Sequence, residues 1–108
     1  MASIGFSDGG FTIRGRQESH VPWSNVAEIV AFKVDCGIYD TICLGVRPNG
    51  SDDFIILEED SLGYKEFVAE LERRFNLLPN WWSRVAFPAF AENWTRIWPP
   101  LPPTSSTV

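Results

Sequence analysis

Val26-Ala27-Glu28-Ile29-Val30-Ala31-Phe32-Lys33-Val34 and, beyond a turn at Asp35-Cys36-Gly37-Ile38-Tyr39-Asp40, Thr41-Ile42-Cys43-Leu44-Gly45-Val46-Arg47 set the architecture of this chain. The first run is apolar and β-branched and long enough for a central strand, with Val30, Phe32 and Val34 on one face and Ile29, Ala31 and Lys33 on the other. In the second, Ile42, Leu44 and Val46 alternate against Thr41, Cys43 and Gly45, the cleanest strand pattern in the sequence. Pro48-Asn49-Gly50-Ser51-Asp52 is a strong turn signal. Phe54-Ile55-Ile56-Leu57-Glu58 then completes a meander of three consecutive antiparallel strands.

Toward the N-terminus, Ser7-Asp8-Gly9-Gly10 separates two short β-prone pieces, Ser3 to Phe6 and Phe11 to Arg14, which predicts an opening hairpin. Gly15 to Pro22 is polar and reads as a loop. Toward the C-terminus, Tyr64, Phe67, Val68, Leu71, Phe75 and Leu78 fall on one helical stripe, which predicts a helix from about Ser61 to Asn76 covering the sheet's inner face. Asp60 and Ser61 are placed to cap its start, Arg73 and Arg74 suit its negative end, and Pro79 stops it. Asn80 can cap one further helical turn through Trp81 to Val85. Trp94-Thr95-Arg96-Ile97-Trp98 alternates as a last edge strand.

The predicted fold is α+β: a bent antiparallel sheet of five to six strands capped by one long amphipathic helix, with an aromatic C-terminal segment at the edge. Residues 1–98 form one domain, and the Pro-rich residues 99–108 an extended, largely disordered tail. The length, 108 residues with 44% apolar and 21% charged side chains, fits one domain that buries roughly 60–65% of its unfolded surface.

No apolar run approaches the roughly 20 residues that cross a bilayer, and the first residues lack the pattern of a signal peptide, so a cytoplasmic location is expected. Two cysteines, Cys36 and Cys43, are too few for the disulfide framework of a small secreted domain and are read as packed thiols. A net charge of −5 with scattered Lys and Arg leaves no footprint for nucleic acid or an anionic membrane.

The sequence supplies no catalytic constellation. His20, the one histidine, has only Glu18 near it, where a zinc site needs three or four clustered ligands. Glu58, Glu59 and Asp60 stand close enough to perturb one another or to bind a divalent cation, but helix capping and solvation explain them as well. Lys33, Asp35, Tyr39 and Asp40 gather at one hairpin end, where Asp fixes turns through its own backbone. The expectation is a non-enzyme without cofactor or metal.

Aromatics are the excess: eight Phe, five Trp and two Tyr. Strands and the helix stripe absorb most phenylalanines, whereas four of the tryptophans lie between Trp81 and Trp98, and Trp is the side chain most enriched in interface hot spots. Trp81, Trp82, Trp94 and Trp98 are therefore candidate apolar anchors, with Asp52, Asp53, Glu58 and Glu59 steering a basic partner.

Trp23-Ser24-x-Val26, Ile29-x-Ala31-Phe32-Lys33-x-Asp35, Tyr39-Asp40-x-Ile42-Cys43-Leu44, Glu58-Glu59, Gly63, Trp82 and Pro88-Ala89-Phe90-Ala91-x-Asn93 resemble a family of small uncharacterised bacterial proteins across residues 5–98. That resemblance implies no activity. The Trp entry into a strand, the meander and the amphipathic helix also resemble bacterial pleckstrin-homology-like domains, although such domains have seven strands and this chain continues after its helix. The basic lipid-binding loop of classical members is missing, so lipid binding is not implied.

The expected function is non-catalytic protein binding to a partner not named by the sequence, one version being a bacterial immunity-type protein that masks a basic toxin. The alternative is a small-ligand or metal-binding protein, or an enzyme, using a pocket between sheet and helix with Glu58, Lys33 and Asp35 as polar groups. Monomer and homodimer, the latter through the Trp94 to Trp98 edge, are both open.

Overall fold

The computed structural model describes residues 3–15, 17–35, 40–86 and 94–100. Cys36, Tyr39, Phe87 to Asn93 and the tail beyond Pro100 lie outside the described residues, as do the side chains of Asp35 and Asp40.

The opening hairpin is β1 (Ser3–Phe6) and β2 (Gly10–Arg14), closed by the Ser7 amide donating to Gly10 O at 2.9 Å. A third strand follows where the sequence reads as a loop: β3 (Glu18–Pro22) pairs antiparallel with β2 from Arg14↔Glu18 to Gly10↔Pro22. Only Val21 of β3 is buried, so the strand is held by its backbone ladder and carries almost no hydrophobic alternation. The meander forms as read, with β4 (Val26–Asp35), β5 (Asp40–Pro48) and β6 (Ile55–Glu58) in antiparallel register. The last strand, β7 (Thr95–Trp98), lands beside β4, pairing Ala31↔Thr95 and Val30↔Arg96.

One bent sheet is thus replaced by two antiparallel ones, ordered β1-β2-β3 and β6-β5-β4-β7. The core lies between them: Ile4, Phe11, Ile13 and Val21 from the first face Ile29, Ala31, Ile42, Leu44, Val46, Leu57 and Ile97 from the second. A 3-10 turn at Trp23–Asn25 carries the chain from one sheet to the other.

Two helices close this core in place of a single long one. The first, α1 (Tyr64–Arg74), buries Tyr64, Phe67 and Leu71. Phe67 packs on Phe11 with ring centroids 4.9 Å apart and stacks on Trp23 at 6.2 Å, so α1 seals the seam beside the first sheet. Its start lies three residues later than Ser61, and neither Asp60 nor Ser61 caps it. The cause is a long-range contact: the Ile4 amide donates to Leu62 O at 2.8 Å, so Leu62 bridges to β1 and must stay extended. Gly63 then reverses the chain at φ 86°, with the place of a Cβ only 2.3 Å from Ile4 O, a position that only glycine fills without strain.

Along the outer side of α1, the Glu70 carboxylate accepts from both Arg73 and Arg74. The hydrogen bond from Arg73, reinforced by Arg74, holds the Glu70 carboxyl below its usual range. A carboxylate with a lowered folded-state pKa stabilises above its ordinary value, and that contribution is lost as pH falls through the lowered one. Glu70→Gln is accordingly expected to lower the thermal midpoint at about pH 7, with the gap to wild type closing in acid. Thermal melts across an acid pH series check this; a gap independent of pH would contradict it.

The second helix, α2 (Trp81–Ala86), starts after Asn80, which adopts φ 59°. It buries Trp81 and Val85. At its end the Lys33 ammonium, reaching from β4, donates to Ala86 O at 2.8 Å. A cation on a C-terminal carbonyl satisfies an orphan acceptor and suits the helix dipole. No helix among the described residues is long and apolar enough to cross a membrane.

Candidate functional site

Pairing fixes which side chains share each face of the four-stranded sheet, because directly opposed residues point the same way. Ile29↔Val46, Ala31↔Leu44↔Leu57 and Lys33↔Ile42 face the core. The outer face carries Val34↔Thr41, Phe32↔Cys43↔Glu58 and Val30↔Gly45↔Ile56, with Arg96 beside Val30. This outer face carries a run of apolar side chains, Val30, Phe32, Val34 and Ile56, bordered by Thr41, Glu58, Arg96 and the Glu28–Arg47 pair.

Trp94, immediately before β7, lies across it. Its ring stacks on Phe32 at 4.9 Å and meets Phe54 edge-on at 5.6 Å. Gly45 makes that span possible. A Cβ there would stand 2.9 Å from Val30 Cγ2 and 3.2 Å from Phe54 Cδ2, so the missing side chain is the space into which Phe54 leans. The assembled surface runs Val34, Phe32, Trp94, Phe54, Ile56. Val34, Ile56 and Trp94 keep 41%, 47% and 56% of their surface exposed, while Val30 and Cys43 are buried beneath. Large apolar side chains scattered singly need no explanation, but a contiguous set marks a contact surface.

The rim is charged. Glu58 is exposed at the end of the Phe32 row, and Asp52 and Asp53 are exposed in the turn leading to Phe54. Arg47 is neutralised by Glu28 at 3.1 Å and also donates to Ser51 O at 3.1 Å. Arg96 enters from the β7 side with its Nε buried and, among the described residues, without a hydrogen-bond partner.

The four C-terminal tryptophans divide. Trp81 is 5% exposed and its indole N–H donates to Glu72 Oε2 at 3.3 Å, whereas its neighbour Trp82 is 49% exposed, as consecutive helical directions require. Trp98 is half-buried, its ring 4.8 Å from Phe75. Trp82 and Trp94 are the two available as anchors, and they occupy different places: Trp94 on the outer sheet face, Trp82 on a cleft of 210 Å³ shared with Glu59, Tyr64, Lys65, Val68 and Trp81.

The acidic residues divide similarly. Glu58 belongs to the outer face, while Glu59 turns to the cleft and accepts the Ile42 amide at 3.1 Å. Tyr64 donates its hydroxyl to Ile42 O at 3.3 Å; burial, with the Glu59 carboxylate second, pushes its phenol well above the ordinary range, so it remains a donor. The polar group of Glu58, Lys33 and Asp35 does not assemble as a site, since Lys33 points to the core side, 2% exposed, and Glu58 to the outer side. His20 is a strand residue whose Nδ1 shares a 2.9 Å hydrogen bond with Thr12 Oγ1 opposite. Among the described residues no three His, Cys, Asp or Glu side chains gather as a metal-ligand set.

Sequence reasoning missed Phe32, Val34, Phe54 and Ile56 as surface residues by assigning them to strand packing. The available signal was that both faces of the meander are apolar while one long helix can cover only one. Comparisons with protein-family models, with curated proteins and with solved structures found no match for this chain.

Proposed function

We propose that this chain is a cytoplasmic, non-catalytic protein-binding module whose contact surface is the outer face of the four-stranded sheet. The observation that carries the reading is that Val34, Ile56 and Trp94 are exposed on one sheet face, with the Trp94 ring packed on Phe32 and Phe54. Exposed apolar side chains grouped on one sheet face suit a partner, and Trp in such a patch is the usual energetic anchor.

The partner is basic. The chain carries −5, and Glu58, Asp52 and Asp53 border the apolar surface, an arrangement that speeds encounter with a cationic protein and fixes its orientation. A bacterial immunity-type protein that masks a basic toxin is the concrete version of this reading. The pleckstrin-homology-like resemblance stays part of it as a statement about scaffold: β3 brings the strands among the described residues to seven, although α1 stands between β6 and β7 and not after the last strand.

Capture from the native host with wild type and with Val34→Asp plus Ile56→Asp tests it. A single basic partner retained by wild type and lost by the variant is the expected result. Equal recovery by both, with the variant folded by circular dichroism, would remove this face from the interface. Sedimentation at several concentrations runs beside it, and a dimer abolished by the same variant would put a second copy of the chain in the partner's place.

A further inference from the structure

The outer sheet face is not bordered evenly. In the order β6-β5-β4-β7 its acidic residues stand on one side, with Glu58 closing β6 and Asp52 and Asp53 in the turn before it. On the opposite side β7 contributes Arg96. Arg47, on the same face, is bonded to Glu28 at 3.1 Å. The Arg96 Nε, by contrast, is buried with no hydrogen-bond partner among the described residues.

A pocket of 350 Å³ opens on that side, lined by Arg96, Thr95, Trp94, Leu78 and Arg84, and no carboxylate stands in this lining. Arg84 is already engaged, its Nε donating to Pro79 O at 3.2 Å, which leaves Arg96 as the donor in question. Pockets for small molecules run from about 300 to 1,000 Å³, so this one has room for a single side chain or a compact acid.

A guanidinium is all donor and no acceptor. A buried donor left without an acceptor costs free energy, and the edge formed by Nε and one terminal nitrogen matches the two oxygens of a carboxylate. An acid that draws this edge into the pocket gains a charge-assisted pair and satisfies the orphan donor in the same step. Thr95 adds a hydroxyl, while Trp94 and Leu78 give apolar walls for the carbon chain. One guanidinium matches one negative charge, which favours a carboxylate over a phosphate dianion.

Trp94 belongs both to the pocket and to the sheet face, where its ring packs on Phe32 and Phe54. A protein seated on that face therefore brings side chains to the mouth of the pocket. We infer that the Arg96 pocket receives the carboxylate of an Asp or Glu side chain from the protein docked on the outer sheet face. That protein then turns basic residues toward β6 and an acidic one toward β7. Docked the other way round, it would set like charges against each other at both ends, so the two borders fix its orientation. The protein source of the carboxylate rests on the protein-binding reading above; the preference of the pocket for a carboxylate does not.

The test uses N-acetyl-glutamate-N-methylamide as the probe, followed through the Arg96 Nε–H and Trp94 indole N–H resonances of the full chain. The expected result is a saturable shift of both, absent with the glutamine analogue, which has nearly the same shape and no charge. Arg96→Met keeps an apolar stem and removes the charge, and is expected to weaken binding at least about fivefold, the effect of one unit charge at contact distance in water. Because it also removes an orphan buried donor, its thermal midpoint is expected to match or exceed that of wild type. Arg96→Lys keeps the charge without the planar fork and is expected to bind with intermediate strength.

Equal shifts from the two probes, or an unchanged affinity in Arg96→Met, would overturn the assignment, as would a clear fall in the Arg96→Met midpoint, which would show the buried donor to be satisfied. Tighter binding of inorganic phosphate than of the glutamate probe would overturn the carboxylate in favour of a phosphorylated ligand. Much tighter binding of free glutarate than of the blocked residue would overturn the protein source in favour of a small acid. The probe is read without any partner present, and Val34→Asp plus Ile56→Asp leaves every residue of the pocket in place, so failure here and failure of the sheet-face reading are separate results.

Discussion

Phe67→Ala is expected to destabilise the domain by about 3–5 kcal/mol, the range for truncating a buried aromatic side chain. Phe67 is fully buried, packs on Phe11 of β2 at 4.9 Å and stacks on Trp23, the residue that carries the chain between the two sheets. Trp23 is in turn fixed by its indole N–H donating to Ser7 O at 2.8 Å and by the Arg74 guanidinium over its ring. Removing the Phe67 ring therefore opens a cavity at the junction of hairpin, crossover and α1, where no flexible neighbour can collapse inward without breaking those contacts. Against the usual 5–15 kcal/mol for a folded domain, the loss takes a large share of the total. Urea unfolding followed by tryptophan fluorescence checks it. A change under about 1 kcal/mol would mean that α1 does not seal the seam.

Trp94→Ala combined with Ile56→Asp is expected to weaken partner binding by at least about 30-fold, the equivalent of one hot-spot loss of 2 kcal/mol. Both side chains are about half exposed, so the folded state loses far less than it does at Phe67. The contrast matters because binding and stability change in opposite proportions at the two positions. Trp94 offers a rigid ring supported from below by Phe32 and from the side by Phe54, so little conformational freedom is lost when a partner covers it. Isothermal titration with the captured partner, alongside unfolding of the same variant, separates the two effects. Retained affinity in a folded variant would show that the partner binds elsewhere.

Much of the fold was legible because the meander states its own register. Ile29, Ala31, Ile42, Leu44 and Val46 alternate in sequence and meet across the ladder. What was illegible depended on distant contacts. β3 buries one residue, Val21, so no periodicity announces it; only β2 as a partner makes it a strand. The division into two sheets leaves no mark on the hairpin itself, whose alternation reads the same in either arrangement. The late start of α1 follows from Leu62 pairing with β1, some sixty residues earlier in the chain, and a good capping sequence at Asp60 and Ser61 cannot compete with it.

The candidate site was half legible for a similar reason. Composition pointed to the C-terminal tryptophans, and Trp94 and Trp82 are indeed exposed, but Trp81 and Trp98 serve packing. Glu58 and Glu59 were treated as a unit, yet consecutive strand-end residues point to opposite sides, so they serve different surfaces. The apolar outer face was written plainly in Val30, Phe32 and Val34. Seeing it as a surface required the three-dimensional arrangement: α1 packs against the first sheet, and α2 meets β4 from the core side, where the Lys33 ammonium reaches Ala86 O.

Site-specific photo-crosslinking from the outer face tests the central claim most directly. A photoreactive amino acid placed at Ile56, exposed on the edge strand of the face, samples it, and one at Leu62, an exposed apolar residue at the bridge to β1, serves as the control. The account expects a crosslink to one basic protein from position 56 and none from position 62 in host extract. Crosslinks to that partner from position 62 alone, or indiscriminate crosslinking from both, would contradict it.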